Sequence, residues 1–181
     1  MYFNETPKYF YFVAEVSNED IDVQGQIVLQ STLLDAKEYF LKNGVVSVNH
    51  RHRKRLPNKQ FAHDTRYVVG RPISVYGKGK STWITGELDK HNPLAQVVIE
   101  LLRRGSNKVK ASVGGLSPRI AVAPDGKQTV VGLLWDDVSL TITPVNSSLQ
   151  PVRAIKKTVK LTEIKIHKKE LGGLLCVKEL R

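Results

Sequence analysis

Residues 108–115 read Lys-Val-Lys-Ala-Ser-Val-Gly-Gly, a short alternating run that ends in a pair of glycines. Because side chains alternate along a strand, Val109 and Ala111 share one face, while Lys110 and Ser112 share the other. Glycines after the serine let another backbone approach closely and can leave main-chain N–H groups pointing outward. An ordinary strand that ends in a turn has the same pattern. The stretch therefore predicts a strand that carries Ser112 on its polar face up to a glycine turn.

The composition is that of an ordinary globular domain. The chain has 181 residues, of which 41% are hydrophobic and 25% charged, so we expect one domain with a proper core. No apolar run approaches the ~20 residues that span a bilayer, and the first residues lack the features of a signal peptide. A single cysteine, Cys176, excludes an intramolecular disulfide. The histidines are not at a metal-binding spacing, so no metal site is predicted.

The chain is strongly basic, with 28 basic and 17 acidic residues and a net charge of +11. Two clusters contribute most: residues 51–55 with Lys59, and the segment 156–169. Such a balance favours an acidic partner, either nucleic acid or an acidic protein, although a solvated basic surface explains it equally well. Because the sequence becomes Lys-rich after Pro151, we place a boundary there, with a domain at 1–152 and a basic tail at 153–181.

Two helices are expected. The first begins at Ser31 and ends at Gly44. The second has Asn92 as its N-cap, Pro93 at its first position and Gly105 as its stop. Its apolar stripe is expected to be buried and consists of Leu94, Val97, Val98, Leu101 and Leu102.

Eight or nine strands are expected besides these helices, most of them joined by short turns. Pro72 predicts an edge or a bulge in its strand, and residues 51–67 are expected to form a charged loop. The pattern indicates a mainly β fold with helices, an antiparallel barrel or sandwich with the helices packed outside. The expected strands, apart from the one carrying Ser112, are Tyr9–Val16, Ile21–Leu29, Val45–His50, Val68–Tyr76, Ser81–Leu88, Leu116–Ala123, Gln128–Leu134 and Trp135–Thr143.

A reactive serine needs a base within hydrogen-bond reach and a group that orients the base. His50 is the best placed of five histidines, since it ends an apolar strand and shares a face with Val46 and Val48. The other four lie in a charged loop (His52, His63), beside a helix cap (His91) or in the tail (His167). A histidine at the end of a strand is also compatible with a purely structural role.

Two carboxylates compete for the orienting role. By alternation Asp136 shares a face with Leu134 and Val138, and Asp137 shares the other with Trp135 and Ser139. A carboxylate on the apolar face is costly unless paired, so Asp136 needs a partner, while Asp137 is easier to tolerate. The pattern alone leaves the choice open. The Gly-x-Ser-x-Gly motif of α/β-hydrolases is absent around Ser112.

Three segments in this order resemble the prohead (capsid maturation) proteases of tailed bacteriophages. The first is Val48-Asn49-His50, the second is residues 111–115, Ala-Ser-Val-Gly-Gly, and the third is residues 137–140, Asp-Val-Ser-Leu, followed by the turn Thr-Pro-Val-Asn at 143–146. The resemblance covers residues 10 to 152. That family is related to the herpesvirus capsid assembly proteases, so the resemblance implies an antiparallel β-barrel flanked by helices.

The resemblance also implies roles for individual residues. His50 would be the general base, Ser112 the nucleophile and Asp137 the orienting group, with Asp136 as the alternative acid. Backbone N–H groups near Gly114 and Gly115, or in the 144–146 turn, would hold the oxyanion. The implied chemistry needs no metal or cofactor.

The implied function is a serine endopeptidase that cleaves scaffold and major capsid protein segments inside an assembling procapsid in the host cytoplasm. Such enzymes often process themselves, so the tail after residue 152 would be removed or would anchor the enzyme to the scaffold. A homo-oligomer is compatible with this function. The alternative is a non-catalytic basic β-barrel that binds nucleic acid or serves as a scaffold component. Against nucleic acid, the aromatic residues are not interleaved with the basic ones as stacking requires.

Overall fold

The structure is a computed structural model that describes residues 4–55 and 61–156. Within these residues the chain forms ten strands, three α-helices and one 3-10 turn at Thr65–Tyr67. The strands are β1 (Tyr9–Ser17), β2 (Gln26–Val28), β3 (Val45–Val48), β4 (Arg53–Arg55), β5 (Phe61–His63), β6 (Val68–Lys78), β7 (Ser81–Asp89), β8 (Lys110–Val122), β9 (Gln128–Thr141) and β10 (Arg153–Ala154). The helices are α1 (Gln30–Asp35), α2 (Lys37–Asn43) and α3 (Pro93–Arg103).

One large sheet contains eight of these strands, in the order β10-β1-β7-β6-β3-β9-β2, with β8 on the other edge of β9. The prediction of a mainly β fold flanked by helices is confirmed. The sheet is mixed, because β3 and β2 both pair with β9 in parallel, and its hydrogen-bonded path is not closed among the described residues. The strand β9 is therefore the junction where β8, β3 and β2 meet.

The strand β8 continues past the glycine pair, so the prediction that these glycines end the strand is wrong. Its pairing with β9 shifts register between Gly114 and Gly115, which marks a β-bulge within a continuous ladder. A second bulge was predicted correctly, since the pairing of β6 with β7 shifts between Pro72 and Ser74. The long strand β9 pairs with β8 on both sides of the glycines. This pairing keeps β8 extended at a point where the local sequence favours a turn.

Other predicted strands differ in extent. The second strand is reduced to β2, and residues 18–25 form a loop in front of it. The charged loop predicted at 51–67 contains the short antiparallel ribbon β4–β5.

The helix α3 has the predicted ends, but a different face is buried. The Asn92 side chain accepts hydrogen bonds from the N–H groups of Leu94 and Ala95, at 2.8 and 3.1 Å. The buried residues are Ala95, Val98, Ile99 and Leu102. Two members of the predicted stripe, Val97 and Leu101, are 60% and 37% exposed. The sheet therefore contacts a stripe rotated from the predicted one.

The first predicted helix is divided into α1 and α2, which meet at Ala36. The ring of Phe40 on α2 is fully buried and stacks on the indole of Trp135, with ring centroids 3.9 Å apart. The Trp135 indole N–H donates to the main-chain carbonyl of Asp137 at 3.0 Å. This core contact thus holds the part of β9 that carries Asp137.

The last described residues remain attached to the sheet. The Val152 N–H donates to the Val109 carbonyl, and β10 pairs with β1 opposite Phe12 and Val13. The rest of the tail predicted after residue 152, at 157–181, lies outside the described residues. None of the described helices has the length and apolar character needed to cross a membrane.

Candidate active site

Ser112 lies on β8, opposite the part of β9 that also pairs with β3. It pairs with Ser139 of β9 across the ladder, and its neighbour Ala111 is fully buried in the core. Ser112 itself is 4% exposed. Its position on a paired strand gives the hydroxyl a fixed direction, as a nucleophile requires.

His50 lies two residues beyond β3, in a left-handed turn. Both Asn49 and His50 have a φ of 52°, a conformation that is unusual for residues with a side chain. The prediction that His50 continues the strand is wrong, and strand alternation does not determine its direction. The turn is held by a hydrogen bond from the His50 N–H to Ser139 Oγ at 2.8 Å. Strained backbone of this kind concentrates at functional sites.

The imidazole of His50 connects Ser112 to Asp137. His50 Nε2 lies 3.0 Å from Ser112 Oγ, and His50 Nδ1 lies 2.6 Å from Asp137 Oδ2. An ionised carboxylate only accepts hydrogen bonds, so Nδ1 carries the proton and Nε2 is left to accept from the serine hydroxyl. We call these three side chains the triad.

Of the two candidate acids, Asp137 is the one hydrogen-bonded to His50. Its side chain is fully buried, whereas Asp136 is half-buried on the opposite face of β9. The strand β9 is covered on both faces near its end, where Val138 and Ser139 are both fully buried. For this reason the alternation of polar and apolar residues did not separate the two acids.

Gly114 faces the His50–Asp137 pair at very short range. A Cβ atom at this position would lie 2.8 Å from Asp137 Oδ2 and 3.0 Å from His50 Nδ1. At Gly115 a Cβ would collide with the Leu133 side chain. The absence of a side chain at Gly114 therefore provides the space that the imidazole and the carboxylate occupy. The oxyanion role of both glycines stays a prediction.

The structure also brings His52 to the site. Sequence reasoning assigned it to a charged loop, yet it is 3% exposed and its Nδ1 lies 3.8 Å from Asp137 Oδ2. The short distance in sequence between His50 and His52 was the one feature that could have indicated a place for His52 in the site. The left-handed turn between β3 and β4 makes both imidazoles converge on one carboxylate, and the local sequence does not specify that turn.

The described residues contain no group of three His, Cys, Asp or Glu side chains placed to hold a metal ion. Of the predicted basic cluster at 51–55, Arg51 is exposed and lies over the Tyr67 ring, 5.9 Å from its centroid.

The arrangement around Ser112 offers a hydroxyl, an imidazole and a buried carboxylate, each hydrogen-bonded to the next. Chemically, these groups can carry out acyl transfer.

The fold of the chain is similar to that of a viral capsid assembly protease. Among solved structures, the chain is similar to the bacteriophage T4 capsid assembly protease gp21, with a TM-score of 0.53 and 13% identity over 74% of this chain and 82% of that chain. It is also similar to KSHV protease, solved in complex with a hexapeptide phosphonate inhibitor, with a TM-score of 0.48 and 12% identity over 91% of this chain and 76% of that chain. No protein-family model matches the sequence, and a search of curated proteins gives no match. The similarity to gp21 agrees with the mainly β fold with flanking helices that the sequence resemblance implied, although the sheet is mixed and its path is not closed among the described residues.

Proposed function

We propose that this chain is a serine endopeptidase of capsid maturation, which cleaves scaffold and major capsid protein segments. The observation that carries the proposal is the triad: Ser112, His50 and Asp137 come from three different strands or turns and form one hydrogen-bonded line. Placing three such groups in line from distant parts of the sequence is a demanding geometry, and acyl transfer, of which peptide-bond hydrolysis is one case, is the reaction that uses it.

In the first step, Ser112 Oγ attacks the carbonyl carbon of the scissile peptide bond. As the O–C bond forms, the hydroxyl proton moves to Nε2 of His50, and Asp137 stabilises the resulting imidazolium through its hydrogen bond to Nδ1. His50 then gives this proton to the leaving nitrogen as the C–N bond breaks. The product amine departs and an ester with Ser112 remains.

In the second step, water attacks the ester and the same groups act in the same order. His50 accepts a proton from the water and returns it to Ser112 Oγ when the acid product leaves. We assign the tetrahedral oxyanion to backbone N–H groups near Gly114 and Gly115. The bulge between these residues turns the backbone away from regular strand geometry, directly after the nucleophile.

The proposed substrates follow from the similarity in fold to a protein named as a capsid assembly protease. An enzyme with this role acts in the procapsid before the particle matures, on the segments that must be removed. Self-cleavage in the tail after residue 152 belongs to the same proposal. Comparing the masses of the wild-type chain and of Ser112→Ala after incubation tests it, since a tail that stays intact in both excludes self-cleavage.

The decisive test is covalent labelling with a fluorophosphonate, followed by mass spectrometry of the labelled peptide. We expect the wild-type protein to be modified at Ser112, and His50→Ala and Asp137→Asn to lose most of the labelling. Ser31→Ala is the matched control, because Ser31 is an exposed serine on α1. A folded wild-type protein that stays unlabelled would contradict the proposal.

The alternative, a basic barrel that binds nucleic acid without chemistry, has a different signature. Binding through phosphates would weaken steeply with salt and would be indifferent to the triad. Salt-dependent DNA binding by a protein that does not react with the fluorophosphonate would favour that alternative.

A further inference from the structure

Ser112 opens onto a cavity of about 210 Å³. Two loops form its outer wall: residues 18–25, before β2, and residues 144–149, after β9. The loops are tied together by hydrogen bonds from Asn146 Nδ2 to Asn18 Oδ1 at 2.7 Å and from the Val23 N–H to the Val145 carbonyl at 3.1 Å. The cavity is therefore a built part of the fold, next to the nucleophile.

The floor of the cavity is aliphatic. Its volume is below the ~300–1,000 Å³ of pockets for drug-sized ligands, so it has room for one or two side chains of an extended peptide. The lining residues that provide apolar surface include Val16, Val28, Val113, Val130, Leu133 and Leu149.

The charged side chains at the mouth are acidic, in a chain whose net charge is +11. Asp20 and Asp22 line the cavity, and no Lys or Arg does so among the described residues. A second, larger groove has the opposite character, with Arg103, Arg104 and Arg153 among its lining. Among the described residues, these arginines thus line this second groove and not the cavity beside Ser112.

The oxygens of both aspartates accept hydrogen bonds from neutral groups in or next to the two loops. Asp20 Oδ2 accepts hydrogen bonds from Asn18 Nδ2 and Ser148 Oγ, at 2.9 and 2.6 Å. Asp22 Oδ1 accepts from the N–H groups of Gln24 and Gln26, at 2.8 and 2.9 Å. Neither carboxylate belongs to an ion pair within the described part of the chain.

Given the proposed peptidase function, we infer that this cavity binds the substrate segment next to the scissile bond and selects peptides that combine an aliphatic side chain with a lysine or arginine. The apolar floor takes the aliphatic side chain. Asp20 and Asp22 attract the cation at the mouth and repel acidic segments, because like charges held close together disfavour a wrong partner. The net charge of the chain suggests an acidic partner, but at the cleavage site the local charge favours a basic one.

The inference is tested by digesting a proteome-derived peptide library with the full chain and identifying the cleaved bonds by mass spectrometry. We expect Lys or Arg to be enriched within a few residues of the cleaved bonds, and Asp and Glu to be depleted. The double variant Asp20→Asn, Asp22→Asn keeps the oxygens that accept the hydrogen bonds in the loops. It should lower the preference for basic peptides about fivefold, in line with two exposed charge pairs.

Glu38→Gln is the control, since it removes one negative charge from α2, where the Glu38 side chain is 82% exposed. Cleavage without a basic preference, or a preference that Asp20→Asn, Asp22→Asn leaves unchanged, overturns the inference and leaves the peptidase function standing. Labelling of Ser112 by a fluorophosphonate without cleavage of any peptide also overturns it. A protein that is neither labelled by the fluorophosphonate nor able to cleave any peptide overturns both proposals.

Discussion

Replacing Gly114 by alanine is the sharpest test of the triad, because the change is one methyl group at its centre. The new Cβ would lie 2.8 Å from Asp137 Oδ2 and 3.0 Å from His50 Nδ1, whereas ordinary contact begins at 3.4 Å. The carboxylate or the imidazole must therefore move by about half an ångström or more. The 2.6 Å hydrogen bond between these two side chains lies in the path of that movement.

We expect Gly114→Ala to slow fluorophosphonate labelling of Ser112 about 100-fold, since a displacement approaching 1 Å in a reacting geometry has an effect of that order. This corresponds to about 2.7 kcal/mol of transition-state stabilisation. The free energy of unfolding should fall by about 1–3 kcal/mol, as for other overpacked sites. The labelling rate is measured by gel fluorescence and the free energy of unfolding by chemical denaturation.

A matched control separates these two effects. Gly86 lies on β7 opposite Phe12, and a Cβ there would meet the buried Phe12 ring at 2.6 Å. Gly86→Ala should therefore destabilise the protein by a similar amount, while the triad keeps its geometry and its labelling rate. If folded Gly114→Ala labels Ser112 as fast as the wild type, the close packing of His50 and Asp137 against this glycine is irrelevant to reactivity and the reasoning is refuted.

Three further changes test the surroundings of the triad. Ser139→Ala removes the acceptor of the His50 N–H, so we expect a loss of about 1–2 kcal/mol in unfolding free energy and slower labelling, with Ser31→Ala as the unaffected control. His52→Phe keeps a ring beside the buried carboxylate but removes the nitrogen 3.8 Å from it; labelling should slow about tenfold with the fold intact, and an unchanged rate would assign His52 to packing alone. Phe40→Ala removes the ring stacked on the core tryptophan, which should lower the free energy of unfolding by about 3–5 kcal/mol in a denaturation experiment; a loss below 1 kcal/mol would contradict the described core.

The helix α3 illustrates how far local sequence rules extend. Its two ends were predictable, because Asn92 caps through its own side chain and Gly105 adopts the left-handed conformation that ends a helix, with a φ of 71°. Its buried face was not predictable from the largest apolar residues. The packing partner selected the side with Ala95, and no residue within the helix encodes how closely the sheet approaches.

The candidate site also combines features that the sequence predicted with features that it could not predict. Residue types and their order along the chain were sufficient to select His50, Ser112 and an aspartate of the Asp136–Asp137 pair, with the help of a family resemblance. Sequence could not choose between the two acids, since both faces of β9 are covered directly beyond them, at Val138 and Ser139. Residue 137 is directed at His50 because β9 is paired with β8 on one side and β3 on the other.

The stretch at 108–115 shows what sequence by itself determined and what only the tertiary structure decided. Alternation along the strand determined that Val109 and Ala111 share the core face and that Ser112 lies on the other face, although all three residues are buried. The continuation of β8 through its glycines, the clearance at Gly114 and the approach of His52 were decided by strand pairing and by a left-handed turn. Periodicity and capping act over a few residues, whereas these features depend on segments that lie far apart in the chain and meet only once the sheet has formed.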